Sequence, residues 1–170
     1  MLRRALPTAA AAVALALAGC GDDGKEESRP ATQTQTTVPA AQARAYKAQV
    51  QTILTSVGTA GRGLVASVRS ASSLNDVARA LEAFRGSVEQ AAARLDAGDP
   101  PPAARQGQRD LSATLREIAA GTQPTVRAAR SGDRDAFRRE FVAYQGKLSG
   151  VYRQRLRAAG DKIDRALAAR

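Results

Sequence analysis

From Arg44 onward, apolar residues return at intervals of three, four and seven. Tyr46, Val50, Ile53, Val57, Leu64 and Val68 mark one face of a first helix. Ser73-Leu74-Asn75-Asp76 reads as an N-cap with an acidic residue three positions on. Leu74, Val77, Leu81, Phe84, Val88 and Leu95 form a second stripe, and Gly98-Asp99-Pro100-Pro101-Pro102 stops it. A third stripe runs through Leu111, Leu115, Ile118 and on to Val126, with Gly121 and Pro124 predicting a kink or break. Ser131-Gly132-Asp133 ends that segment and starts the last. Phe137, Phe141, Tyr144, Leu148, Val151, Leu156, Ile163 and Leu167 then mark a helix of roughly 34 residues, ~50 Å long.

Four amphipathic segments with short connections predict an all-α fold, an antiparallel up-down four-helix bundle. A three-helix bundle with the third segment split in two is the alternative. No segment has the alternation of a strand. Composition changes the picture in one respect. Leu, Ile, Val and Phe together number only 31 of 170 residues, against 38 Ala. With a net charge of +10, that balance can accompany disorder, but Ala favours helix without needing a large core. The expectation is a thin core packed largely by Ala.

The first forty residues follow a different pattern. Met1-Leu-Arg-Arg4 is basic, Ala5 to Ala18 carries no charge, and Leu17-Ala18-Gly19-Cys20 closes the run. These are the three parts of a secretory signal. The 14 uncharged residues fall short of the ~20 that a spanning helix needs. Leu17-Ala18-Gly19-Cys20 resembles the lipobox of bacterial lipoprotein precursors, and the chain's only Cys stands at the position that motif requires. The resemblance implies a diacylglycerol on the Cys20 sulfur, cleavage between Gly19 and Cys20, and a protein tethered at the cell membrane or envelope outside the cytoplasm. Two or more acyl chains hold stably where one does not. Gly21 to Ala41, rich in Thr, Gln and Pro without apolar periodicity, reads as a flexible linker. The expected organisation is a signal peptide over 1–19, lipidated Cys and linker over 20–41, and a helical bundle over 42–170.

Several kinds of chemistry are excluded by residue type. Without His there is no Ser-His-Asp triad and no His-ligated metal. A single Cys allows neither an internal disulfide nor a thiolate cluster. Gly58-Thr-Ala-Gly-Arg-Gly63 has the outer glycine spacing of a phosphate loop, but Leu64 and Val65 stand where that motif needs Lys and Ser or Thr. Gly58 and Gly61 read instead as points of close helix approach or a bend. Asp96 and Asp99 flank a turn without the loop pattern of a calcium site. The three Tyr and three Phe fall mostly on apolar faces and read as core. No catalytic, cofactor-binding or metal-ligating set emerges, and the chain reads as non-enzymatic.

Charge is the remaining signal. Arg44 to Arg170 holds 22 basic and 12 acidic residues, and the excess concentrates from Arg127 onward, with 12 basic against 5 acidic. On a straight helical wheel Arg139, Lys147, Arg153, Arg157 and Arg165 share one sector opposite the Phe137/Phe141/Tyr144 stripe. Such a face suits an anionic partner: lipid headgroups, an anionic envelope polymer or an acidic protein. The implied location argues against nucleic acid. The sequence therefore reads as a lipid-anchored envelope domain with a binding or scaffolding role. The alternative is a small-molecule or lipid-binding bundle with an interior pocket.

Overall fold

The computed structural model describes residues 38–168. Signal peptide, Cys20 and most of the linker lie outside them. Helix α1 spans Ala40–Ser70, α2 Leu74–Asp96, α3 Arg105–Gly121, α4 Gln123–Ser131, α5 Arg134–Lys147 and α6 Arg153–Ala168. A short 3-10 turn, Pro102–Ala104, leads into α3, and a π-helical stretch, Leu148–Tyr152, joins α5 to α6. These pieces make four antiparallel rods: α1, α2, α3–α4 and α5–α6. The protein is an all-α helical bundle.

The ends of the rods follow local chemistry. Pro39, its φ fixed at −54°, precedes α1, and its carbonyl accepts from the Ala43 N–H at 3.0 Å. The helix therefore begins at Ala40, inside the stretch read as linker. Ser73 caps α2, its Oγ accepting from the Asp76 N–H, while Asp76 reaches back to the Ser72 N–H at 3.2 Å. This is a reciprocal box that satisfies donors with no intrahelical partner. Gly132 ends α4 in the left-handed conformation (φ 76°), which glycine adopts without steric penalty. Asp133 then caps α5 by accepting from the Asp135 and Ala136 N–H groups. At the expected break, α3 stops at Gly121 and α4 resumes at Gln123, with Pro124 in its first turn. The interruption is a kink at Thr122, so the two helices remain one rod.

Leu81, Val88, Leu111 and Leu115 have no exposed surface and form the centre of the bundle. Ala78, Ala91, Ala92, Ala104, Ala119, Ala129 and Ala159 fill much of the remainder, as a sequence poor in large aliphatics requires. Among the glycines of the described residues, Gly107 of α3 has the least room, against α6. A Cβ built on Gly107 would stand 2.6 Å from Ile163 Cγ1 and 3.2 Å from the Ala159 carbonyl oxygen. Gly58 and Gly61, the sequence candidates for such contacts, leave room: their nearest neighbours are the Arg62 guanidinium at 3.9 Å and the Phe84 ring at 4.0 Å. Both lie within continuous α1, and the Gly58–Gly63 segment is helix rather than loop.

The last rod departs from a straight wheel. Its inward residues Tyr144, Leu148 and Tyr152 follow at spacings of four, which drift by about 80° around a helix of 3.6 residues per turn. The π turn, wider by nearly one residue, restores alignment. Val151, placed on the apolar stripe by straight periodicity, is 40% exposed, while Tyr152 is 8% exposed. Phe141 also differs from expectation: it is only half-buried, stacked on Phe137 with ring centroids 5.4 Å apart.

Candidate binding surface

Close packing joins each rod to the next along the chain: α1 to α2, α2 to α3–α4, and α3–α4 to α5–α6. The seam between α1 and the last rod is more open. Near the N-terminal end of α1 a cavity of about 390 Å³ opens between Val50, Leu54 and Ile163, and Lys47 bridges it to Asp164 at 2.7 Å. Near the other end, two cavities of about 330 and 380 Å³ separate α1 from α5 and share Val68 and Phe141 as walls. Half of α1 is thus less covered than its periodicity implies. Val57, Leu64 and Val68 are partly exposed, whereas Tyr46, Val50 and Ile53 are buried. These cavities lie at the surface of the bundle, not along its axis.

The π turn also redistributes the predicted basic face. Arg139 and Lys147 precede it, while Arg153, Arg157 and Arg165 follow it, and all five are exposed. One extra residue in a turn rotates everything downstream by about 100° relative to a straight helix. The five therefore do not occupy one sector, which corrects the wheel. Arg153, Arg157, Gly160 and Asp164 follow at spacings of four, three and four, so they share a face of α6. Gly160 and Asp164 line the cavity against α1, so Arg153 and Arg157 turn toward the α1 side. On α5, Arg134 and Arg138 line the seam directly, opposite Arg69 of α1. The sequence does not single out these three arginines, since only the placement of α5 beside α1 distinguishes them.

On the opposite flank the last rod is locked to α3. Arg155 pairs with Glu117, and Lys162 with Asp110 at 2.6 Å. The Lys162 hydrogen bond, with a second from Gln106, holds the Asp110 carboxyl below the usual carboxylate range. Of the nine basic residues from Arg134 to Ala168, only these two have a carboxylate within 4.0 Å among the described residues. Asp96 accepts from Ser112 Oγ at 2.6 Å and pairs with Arg116, so it serves the α2–α3 contact.

The buried polar groups are structural in their geometry. Tyr46 of α1 donates to Gln108 Oε1 at 2.7 Å, and Gln108 Nε2 donates to the Leu95 carbonyl at 2.6 Å. Burial pushes the Tyr46 phenol up to about 12. Tyr144 donates to the Ile118 carbonyl at 3.1 Å, and burial raises its phenol as well. Tyr152 reaches the Glu117 carbonyl. Among the described residues, no three Cys, Asp or Glu side chains gather as metal ligands would, and no helix is long and apolar enough to cross a membrane. Comparison with protein-family models, curated proteins and solved structures finds no match to this chain.

Proposed function

We propose that this chain is a lipid-anchored helical-bundle protein of the cell envelope with a binding or scaffolding role and no catalytic one. The lipobox resemblance at Leu17-Ala18-Gly19-Cys20 supports the anchor. That resemblance implies a bundle outside the cytoplasm, held to the membrane through Cys20. The observation that carries the binding role is the seam. Arg134 and Arg138 border it on the last rod, Arg153 and Arg157 share the α6 face of Gly160 and Asp164 that borders its other end, and none of the four has a carboxylate within 4.0 Å among the described residues. Basic groups left unpaired along one edge attract an anionic partner, an acidic envelope polymer or an acidic protein surface.

Two measurements test this reading. Cells fed a labelled fatty acid should mark the wild-type chain and leave Cys20→Ser blank; label on the variant would sink the anchor. The detergent-solubilised full chain should be retained on polyphosphate-bearing beads and pass uncharged beads. Retention should fall steeply with salt, because exposed charges are screened beyond ~8 Å at physiological ionic strength. Retention that ignores salt, or that is equal on both beads, would sink the binding role.

A further inference from the structure

We infer that the seam between α1 and α5 takes the chain of a single-chain anionic amphiphile, a long-chain carboxylate, whose headgroup lies among Arg69, Arg134 and Arg138. This rests on the reading of the seam as a binding surface and names its ligand. The two cavities of about 330 and 380 Å³ adjoin, with Val68 and Phe141 as shared walls. Leu64, Val65, Val68, Phe137, Phe141 and Leu148 supply an apolar lining, and Val65 remains 50% exposed. Three arginines and no carboxylate belong to that lining. The nearby helix caps are already engaged: Asp76 with the Ser72 N–H, Ser73 Oγ and Arg79, and Asp133 with the Asp135 and Ala136 N–H groups. The slot therefore combines an uncovered apolar wall with uncompensated positive charge.

Those two properties select the occupant. An apolar chain alone would leave the guanidinium groups without a partner, and a small anion alone would leave the Phe137–Phe141 stack uncovered. A carboxylate accepts two parallel N–H bonds from one guanidinium. Each cavity falls within the ~300–1,000 Å³ typical of small-molecule sites. An amphipathic partner helix is a poorer fit. It is ~10–12 Å across with its side chains, and a stable protein interface needs ~800 Å² on each side.

The full chain, reconstituted in nanodiscs, should be photolabelled by a diazirine-bearing palmitic acid. Labelled peptides should map to residues 64–71 of α1 and 134–148 of α5. Diazirine-bearing hexadecanol should label them about tenfold less, as should palmitic acid on Arg134→Gln/Arg138→Gln, since a charge-assisted hydrogen bond is lost in each case. Both arginines are exposed, so the variant should keep its helical circular dichroism. Excess unlabelled palmitate should compete and acetate should not. Equal labelling by acid and alcohol, labelling scattered over the other faces, or labelling unchanged in the arginine variant would overturn the inference. Absent acyl labelling with polyphosphate retention intact would overturn this ligand while leaving the binding role standing. Loss of both would overturn both.

Discussion

Gly107 of α3 and Ile163 of α6 meet at a point where even one methyl group has no room. A Cβ on Gly107 would lie 2.6 Å from Ile163 Cγ1 and 3.1 Å from the Ile163 backbone nitrogen. Backbone cannot yield as a long side chain can, so the two helices would have to part. Gly107→Ala should therefore destabilise the bundle by ~1–3 kcal/mol, the usual cost of overpacking. Gly58→Ala is the control. Its nearest neighbour is a flexible guanidinium at 3.9 Å, and Ala in a helix interior is favoured over Gly by ~0.5–1 kcal/mol. Thermal unfolding should move down for the first variant and up for the second.

Phe84 and Phe141 look alike in the sequence, each on an apolar stripe, yet their surroundings differ. Phe84 is 6% exposed within the main core, while Phe141 is half-buried at the seam. Phe84→Ala should cost ~3–5 kcal/mol. Phe141→Ala removes less buried surface and should cost ~1–2 kcal/mol. Urea unfolding of the two variants measures the difference; equal losses would mean that the seam closes over Phe141 in solution.

What the chain conceals follows from that comparison. Rod boundaries were legible because they depend on residues close in sequence: Ser73 with Asp76, Gly132 before Asp133, Gly121 before Pro124. The stripes were legible because 3.6-residue periodicity is local. The π turn was not, since glycines such as Gly150 within it and Gly146 before it also sit in ordinary helix elsewhere in the chain and do not announce an extra residue, and only the exposure of Val151 beside buried Tyr152 reveals it. The sequence marks Gly58 and Gly61 rather than Gly107, whose role depends on which helix lies opposite. Arg134 and Arg138 follow the same rule: only the placement of α5 beside α1 sets them on the seam.

Tyr46 gives the fold a dependence on alkaline pH. Its phenol, normally titrating at 10.0, is pushed up to about 12 by burial. A group with a raised folded pKa favours the folded state while protonated. That contribution is complete below pH 10 and is lost as pH rises through 12. Tyr46→Phe removes this dependence but leaves Gln108 Oε1 buried without its donor, at a cost of ~1–3 kcal/mol near neutral pH. Denaturation midpoints at pH 7 to 11 should fall for the wild type above pH 10. The variant should start lower and show a shallower decline.

The rotation imposed by the π turn separates two sets of cations that a straight wheel would merge. Arg153→Glu/Arg157→Glu and Arg139→Glu/Lys147→Glu each change net charge by about four units, as reversal of two unit charges must. If the bundle met anionic surfaces through net charge alone, the two variants would lose polyphosphate binding equally. Arg153 and Arg157 share their face of α6 with Gly160 and Asp164, which line the cavity against α1. Arg139 and Lys147 precede the π turn and lie on a different sector of the rod. A basic residue at an anionic surface contributes ~1 kcal/mol, so reversing two at the contact should weaken retention by tenfold or more. The Arg139/Lys147 variant should lose only the smaller share due to long-range attraction, and raising salt should erase that share first. Equal losses at both low and moderate salt would show that the bundle reads charge without a preferred face.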